Sequence, residues 1–352
     1  MADLLGARIT TIMRNKLLPM VADTVLRSNV AFTDFVRKAK KWSGKQIEFP
    51  IKYQTNSTVT SFTGFDTLSI SATNNRVSAV FNPSFVQVSS SLPIDEIMVN
   101  GTSGKEEAVL NLIRVTLESD AQDLANGCGT QFWADGTGNS DKDILGLGAA
   151  VDDGSNVPTY GGLPRATYTG FASTVTASGG TLSLAKLYTL YYNVASGQQK
   201  PTVSYCDDSV FTLYEQLLQP QERYMMNMPD MRNGSTRGTG ALELFLKGMP
   251  VINDEKATSG VFMMLNGEYI DWYAIDARAS SDMTGYEPVN YMPSQIEGNY
   301  YTPSVVKGLG FAWTDWIKPT NAMSLIGHTC LAGQLINREP RFCGKLTGIT
   351  QI

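Results

Sequence analysis

A long stretch with almost no charge, residues 53–91, constrains the fold of this chain most strongly. Of its 39 residues, 19 are Ser, Thr or Asn, and only Asp66 and Arg76 are charged. A single extended limb over residues 46–65 would reach up to about 65 Å, far beyond an ordinary strand. Because charged side chains normally protect exposed strand edges, such an arm invites pairing with other chains. We therefore predict a long β-hairpin over residues 46–91 that neighbouring copies cover.

Apolar residues are interleaved with the polar ones toward the tip of this hairpin. They are Val59, Phe62, Phe65, Leu68 and Ile70. We expect Phe62, Phe65 and Leu68 to contact a neighbouring subunit. The alternative is a long disordered loop, which the interleaved apolar residues disfavour.

The first limb of the hairpin has the alternation of a strand with one buried face. Ile47, Phe49 and Ile51 alternate with polar residues or proline. Pro50 cannot donate a backbone hydrogen bond, so it places this strand at a sheet edge.

The clearest helix follows, over residues 103–127. Ser103 and Glu106 have the spacing of a capping box, which marks the start, and Gly127 is a stop signal. Apolar residues recur at steps of three and four along it: Val109, Leu112, Ile113, Leu117, Ala121 and Leu124. The pattern predicts a core helix on which other layers rest.

Charge is distributed unevenly along the chain. Residues 1–45 carry nine basic and three acidic side chains, a net charge of +6. Because the whole chain has a net charge of −5, residues 46–352 have a net charge of −11. A basic cluster at Arg37, Lys38, Lys40 and Lys41 could face an acidic neighbouring subunit or nucleic acid. A solvated basic helix end is the alternative.

Cysteines and apolar runs exclude several classes of protein. The four cysteines form no CxxC pair and the chain has one histidine, His328, so we expect free buried thiols and no zinc site. No apolar run approaches 18 residues and the amino terminus lacks a secretory signal, which predicts a cytosolic protein.

The rest of the chain mixes helices and short strands. A glycine-rich connector over residues 127–180 precedes a second lobe with helices beginning near Leu184 and Val210 and several short strands. Two more strands are predicted at the carboxy terminus. Since no βαβ regularity is visible, the predicted class is α+β with antiparallel sheets.

Nucleotide-binding motifs are incomplete. The segment NGTSGKEE has Val99 and Glu106 where a phosphate-binding loop requires Gly and Ser or Thr. Three segments begin GxG but lack the third glycine of a dinucleotide fingerprint. We expect no cofactor.

Catalytic and metal-binding motifs are incomplete as well. His328 lies in an apolar strand, where a core role is commoner than a catalytic one, and no GxSxG elbow exists. Asn139, Asp141 and Asp143 have calcium-loop spacing, but the glycine and the closing glutamate are missing. The sequence therefore favours a protein that is not an enzyme.

Short strings in a characteristic order resemble one known family. They are FPIKY at 49–53, GGLPR at 161–165, KGMPVI at 247–252, EPRF at 339–342 and GKLTG at 344–348. Together with the order of arm, hairpin, helix and second lobe, they resemble the major capsid proteins of tailed bacteriophages, which have the Hong Kong 97 fold. The resemblance extends over almost the whole chain.

The resemblance implies a specific division of the chain. An amino-terminal arm would comprise residues 1–45 and the extended loop residues 46–91. The peripheral domain would comprise residues 92–180 and 318–352, with a spine helix at 104–126, and the axial domain residues 181–317. Some members crosslink through a loop lysine, but residues 53–91 contain none. We expect shell strength from non-covalent contacts or a decoration protein.

The function implied is self-assembly into pentamers and hexamers of an icosahedral head that encloses double-stranded DNA. The chain starts close to the arm, without the long amino-terminal scaffolding segment that some members carry, so we expect any scaffold to be a separate protein. The resemblance also implies a portal protein, assembly in the host cytoplasm, and a final place in the virion. Interface residues on this hypothesis are Phe62, Phe65, Leu68, Arg76 and Arg165. Two alternatives stay open: an encapsulin-like compartment shell, and a non-assembling enzyme or binding protein.

Overall fold

The structure is a computed structural model. It describes residues 29–36, 38–42, 44–68, 70–71, 74–101, 106–177, 179–218, 244–275, 286–288, 311–314 and 323–351. The helices in these ranges are α1 (Val30–Val36), α2 (Ile94–Gly101), α3 (Glu106–Trp133), α4 (Gly138–Asp141), α5 (Leu147–Ala150), α6 (Leu184–Val194) and α7 (Asp208–Leu218).

Two strands of the first sheet are long, with 10 and 14 residues, and the others are short. They are β1 (Lys40–Trp42), β2 (Ile47–Lys52), β3 (Arg76–Phe81), β4 (Ser84–Pro93), β5 (Thr159–Tyr160), β6 (Leu163–Pro164), β7 (Thr174–Thr176), β8 (Gly180–Thr181), β9 (Val203–Cys206), β10 (Leu244–Leu246), β11 (Met249–Asn253), β12 (Phe262–Leu265), β13 (Ile270–Ile275), β14 (Tyr286–Pro288), β15 (Phe311–Thr314), β16 (Ser324–Asn337), β17 (Gly344–Leu346) and β18 (Ile349–Gln351). The α+β class with mainly antiparallel pairing is confirmed.

The first sheet is built around β16, a strand of 14 residues. One edge of β16 pairs with β4 and the other with β13 and β15, while β1 lies parallel to β13. The indole of Trp272 in β13 is fully buried. A Cβ at Gly333 would come within 2.4 Å of that indole, so the glycine admits the ring.

Helix α3 braces this sheet and is longer than predicted. It runs to Trp133, so the predicted stop at Gly127 and the helix end at 126 are wrong. Cys128, Phe132 and Trp133 are buried, and their packing outweighs the cost of about 1 kcal/mol for a glycine inside a helix. The predicted cap at Ser103 lies outside the described residues.

A second glycine in α3 has a packing role. A Cβ at Gly129 would come within 2.1 Å of the Asn29 side chain, whose amide nitrogen donates to the carbonyl of Ala125 at 2.8 Å. Close approach of the segment before α1 therefore requires the glycine. Sequence spacing alone could not distinguish this use from a helix stop.

Part of the predicted amino-terminal arm belongs to the body of the subunit. Ala31, Phe32, Phe35 and Val36 of α1 are buried, and β1 is a strand of the first sheet. The boundary at residue 45 is therefore wrong for residues 29–36 and 38–42, because apolar side chains of these segments pack into the core. Residues 1–28 lie outside the described part of the chain.

The second sheet forms a separate lobe with its own core. Its order is β10, β11, β9, β12, β17 and β7, and the apolar faces of α6 and α7 pack on it. The predicted helices after Leu184 and Val210 are confirmed. Ser183 caps α6 by accepting from the backbone of Lys186 at 3.4 Å.

Two groups of strands cross the predicted domain boundaries. β17 was expected in the peripheral domain, residues 318–352, but it lies inside the second sheet between β12 and β7. β13, β14 and β15 were expected in the axial domain, residues 181–317, but they belong to the first sheet. Strand pairing over long separations decides both, and periodicity carries no information about it.

The hairpin is shorter than predicted. β2 and β3 pair antiparallel over six positions, from Ile47 opposite Phe81 to Lys52 opposite Arg76. β4 then leaves the hairpin and pairs with β16, so the predicted limit at residue 91 is wrong. Leu92 and Ser90 on β4 are buried, which favours the large sheet over an exposed hairpin.

Among the residues that the structure describes, no helix has both the length and the apolar character needed to span a membrane.

Candidate assembly surfaces

The base of the hairpin is fixed to the body by aromatic packing. Phe49 stacks on Phe81 with ring centroids 5.5 Å apart, and Phe81 meets Tyr160 edge-on at 4.9 Å. Gly161 has φ +57°, and a Cβ there would come within 2.6 Å of the Phe81 ring. This glycine is needed both for its backbone conformation and for the close approach.

Beyond the strands, local hydrogen bonds hold Tyr53 and the turn from Thr63 to Asp66. The hydroxyl of Tyr53 donates to the carbonyl of Asn74 at 3.0 Å, and its ring packs edge-on against Tyr168. The backbone amide and hydroxyl of Thr63 donate to the carboxylate of Asp66 at 2.7 and 2.9 Å. These bonds hold the pKa of Asp66 below its usual range.

The predicted contact residues are left uncovered by their own subunit. Phe65 is fully exposed, Phe62 is 64% exposed and Leu68 is 54% exposed, and Val59 and Ile70 share this exposure. Five large apolar side chains on one short loop exceed the scattered exposure that ordinary surfaces show. Their role at a subunit interface stays a prediction.

A feature that sequence reasoning missed lies where the hairpin leaves regular pairing. Lys52 is directly opposite Arg76, and both side chains are exposed. Like charges directly opposite each other on a sheet are unfavourable. Arg76 was predicted at an interface, but its pairing with Lys52 depends on a register that the sequence did not supply.

Arg165, also predicted at a subunit interface, is buried inside its own subunit, so that prediction is wrong. Its guanidinium donates to the carbonyls of Ala149 at 2.6 Å and Val157 at 3.1 Å. It also lies over the ring of Tyr160, 4.9 Å from the centroid. Burial raises the pKa of Tyr160 to about 12, so the phenol is neutral beside the cation.

The anion of this site is Asp152, which is fully buried. Its carboxylate accepts from the backbone amides of Gly154, Asn156 and Val157 and from the ammonium of Lys345 at 3.1 Å. Arg165 lies 3.7 Å from the same carboxylate. We call Asp152, Arg165 and Lys345 the buried junction.

The buried junction joins the glycine-rich connector to the carboxy-terminal strand β17. Burial alone would raise the pKa of Asp152, but hydrogen bonds from Val157 and Lys345 and the charge of Lys345 hold it below its usual range. The carboxylate is therefore ionised at neutral pH. Spacing gave no signal for this site, because 193 residues separate Asp152 and Lys345.

The basic cluster is only partly available to a partner. Lys40 donates to Asp271 at 2.7 Å, and Arg338 lies 2.9 Å from the same carboxylate. Lys38 and Lys41 are exposed. Arg37 lies outside the described residues.

A groove of about 670 Å³ lies between the base of the hairpin and the loop at residues 135–145. Its lining includes Phe81, Phe85, Leu145 and Val157, and Phe85 is 62% exposed. Gln334 supports it from beneath by donating to the carbonyl of Asn82 and accepting from the amide of Leu145, both at 3.0 Å. The volume is that of sites that hold a small ligand or a few side chains.

Side chains suited to metal binding do not converge in the described ranges. These ranges contain no group of three or more His, Cys, Asp or Glu side chains that could hold a metal ion. The four cysteines are buried thiols that form no disulfide, as predicted, and burial raises the pKa of Cys128 to about 12 and of Cys343 to about 11. Thiols in this state are unreactive.

Solved structures show which fold this architecture is. No protein-family model matches the sequence, and no curated protein sequence matches it. A chain of the capsid asymmetric unit of cyanophage A-1(L) matches with a TM-score of 0.65 at 16% identity, covering 92% of this chain and 94% of that chain. This chain has the Hong Kong 97 fold.

Two further structures with the Hong Kong 97 fold match less closely. The capsid of a native GTA particle has a TM-score of 0.47 at 10% identity, covering 93% of this chain and 91% of that chain. The SrpI encapsulin of Synechococcus elongatus PCC 7942 has a TM-score of 0.45 at 10% identity, covering 89% of this chain and 86% of that chain.

Proposed function

We propose that this chain is a major capsid protein that self-assembles into pentamers and hexamers of an icosahedral phage head around double-stranded DNA. The observation that carries the proposal is the shared fold over 92% of the chain with a cyanophage capsid subunit. The exposed, nearly uncharged loop at residues 53–71 supports it independently, because its apolar side chains need a partner that the single subunit lacks.

The two sheets fit the two domains of such a subunit. We assign the first sheet with α3 to the peripheral domain and the second sheet with α6 and α7 to the axial domain, with the boundaries moved as the strand pairing requires. The hairpin is then the extended loop that rests on the adjacent subunit. Because this contact joins unlike surfaces, it closes into rings rather than stopping at a dimer.

Other components of the head follow from the same proposal. Scaffolding and portal proteins would be its partners in the head, and a decoration protein could add to shell strength. Assembly would take place in the host cytoplasm, and the mature protein would reside in the virion.

Electron microscopy of the purified full-length chain tests this function. We expect closed icosahedral shells built of five- and six-fold capsomers, and DNA-filled heads when the other phage components are present. Closed shells that enclose a protein cargo and never DNA would instead support an encapsulin-like compartment. A chain that stays monomeric under all assembly conditions would contradict both shell functions.

The basic cluster offers a narrower test of contact with DNA or with an acidic neighbour. Because Lys40 is held by Asp271, we expect the exposed Lys38 to carry most of the effect. Replacing Lys38 by glutamine should reduce assembly or packaging, and the deficit should change with salt, since screening acts on exposed charges. Equal yields of wild type and variant at all ionic strengths would remove the electrostatic role.

A further inference from the structure

The outer face of the hairpin carries an unbalanced pair of positive charges. Lys52 and Arg76 face each other across β2 and β3, and neither forms a salt bridge or hydrogen bond with another described residue. Glu48 is on the same face, but four residues along the strand place it about 14 Å from Lys52. The pair is therefore a site of excess positive charge that an acidic surface would stabilise.

The groove at the base of the hairpin has the opposite charge. Asp135, Asp141 and Asp143 line it together with one cation, Lys142. Asp135 accepts from the backbone and hydroxyl of Thr137, while Asp141 is exposed. The groove thus combines an apolar floor with a net negative rim.

The two surfaces cannot meet within one subunit. The groove is lined by the end of the hairpin nearest the body, including Phe81, and Arg76 lies five residues farther out on the same strand. Five residues of strand span about 17 Å. Because Phe81 is packed against Phe49 and Tyr160, this end of the hairpin is fixed and cannot fold back.

We propose that the groove at residues 135–145 of one copy receives the hairpin of a second copy, with Lys52 and Arg76 against its acidic rim. This inference rests on the proposed capsid function and names the receiving site. Charge complementarity identifies a second copy of the chain as the partner. Each copy carries both the basic pair and the acidic groove, and these two surfaces have opposite charge. Unlike surfaces on one chain give a head-to-tail contact, which repeats around a ring.

Charge reversal with rescue tests the contact. Arg76→Asp and Asp141→Lys are made singly and together in the full-length chain, and shell yield is measured by electron microscopy and sedimentation at low ionic strength. Each single reversal sets like charges against each other, so we expect shell yield to fall about tenfold. The combined variant restores the opposite pairing and should recover to within about threefold of wild type.

A second pair of variants, with neutral side chains, is a control for folding defects in the charge reversals. Asp141 has φ +61°, a conformation that asparagine also tolerates, so Arg76→Gln and Asp141→Asn form a second cycle without backbone strain. We expect their effects on yield to be less than additive, because either one removes the same contact. Lys142→Gln makes the groove more acidic and should leave yield unchanged or higher.

The outcomes separate this inference from the proposed function. If wild type forms no shells, the capsid function fails. If wild type forms shells while folded single reversals also assemble normally, or the combined variant assembles no better than either single one, only the docking of the hairpin on the groove is overturned. A loss of yield in Lys142→Gln as large as in Asp141→Lys would overturn it too.

Discussion

The loop at residues 53–71 and the buried junction invert the usual distribution of polar and apolar groups. In the loop, Phe62 and Phe65 are exposed to solvent, and the one charge, Asp66, is held in a local turn. In the buried junction, three charged side chains are removed from solvent and satisfied by one another and by the backbone. The large apolar side chains of the loop are left uncovered by the subunit, whereas the charges of the buried junction have their partners inside it.

This contrast distinguishes residues that stabilise the subunit from residues that join subunits. A buried, fully hydrogen-bonded charge is expensive to disturb, because removing one partner leaves the others unpaired. An exposed apolar side chain contributes little to folding of the single chain but much to a contact that buries it. Variants in the junction should therefore affect folding, and variants in the loop should affect assembly.

The largest effect is expected from Asp152→Ala. It leaves Arg165 and Lys345 buried without their anion, and we expect the free energy of unfolding to fall by about 3–5 kcal/mol. Chemical denaturation of the unassembled subunit measures it. Asp153→Ala is the matched control, because Asp153 is exposed and its carboxylate accepts one hydrogen bond, from the Ser155 amide, so stability should change by no more than about 1 kcal/mol. Equal stability of the two variants would contradict the role of the buried junction.

Acid should remove the contribution of Asp152. Its pKa is lowered in the folded subunit, so its stabilisation is present above the ordinary aspartate pKa of about 3.9 and is lost as the pH falls through the folded value. We expect the difference in stability between wild type and Asp152→Asn to be constant above about pH 5 and to narrow below it. A difference that widens in acid would show the opposite sign of the shift.

For the loop, we expect the reverse pattern. Replacing Phe62 and Phe65 by serine should change the free energy of unfolding of the single subunit by less than about 0.5 kcal/mol, since both side chains are exposed. Shell yield should nevertheless fall sharply, because the neighbouring copy loses two apolar contacts. Denaturation and electron microscopy on the same preparation check both statements. Loss of stability with normal shells would reverse the comparison between the two regions.

The sequence predicted the elements better than their partners. Alternation located β2, and helical spacing located α3, α6 and α7, because these patterns report one buried face. The end of α3 was misplaced because a glycine in a helix can be a stop, as Gly127 was read, or a packing site, as Gly129 is. The pattern of a segment does not show which distant segment it meets.

For the candidate surfaces too, local properties were predicted and distant pairings were not. The exposed residues Phe62 and Phe65 were found from composition, because an apolar residue in an uncharged stretch is a local property. Arg165 was misassigned because its burial depends on how the connector folds around it, with the carbonyls of Ala149 and Val157 as acceptors. Asp152 was missed because its partner Lys345 reaches it on β17, from the far end of the chain. The opposition of Lys52 and Arg76 likewise needs the register of the hairpin.

A variant without the loop, but with the rest of the hairpin, tests most directly whether the loop joins one subunit to the next. Residues 54–74 are replaced by Asn-Gly, a two-residue turn that suits a tight hairpin, so that the pairing of β2 with β3 is preserved. Electron microscopy and the free energy of unfolding are then compared with wild type. We predict a subunit of unchanged stability that forms no closed shells. Normal shells from this variant would contradict the claim that the loop joins one subunit to the next.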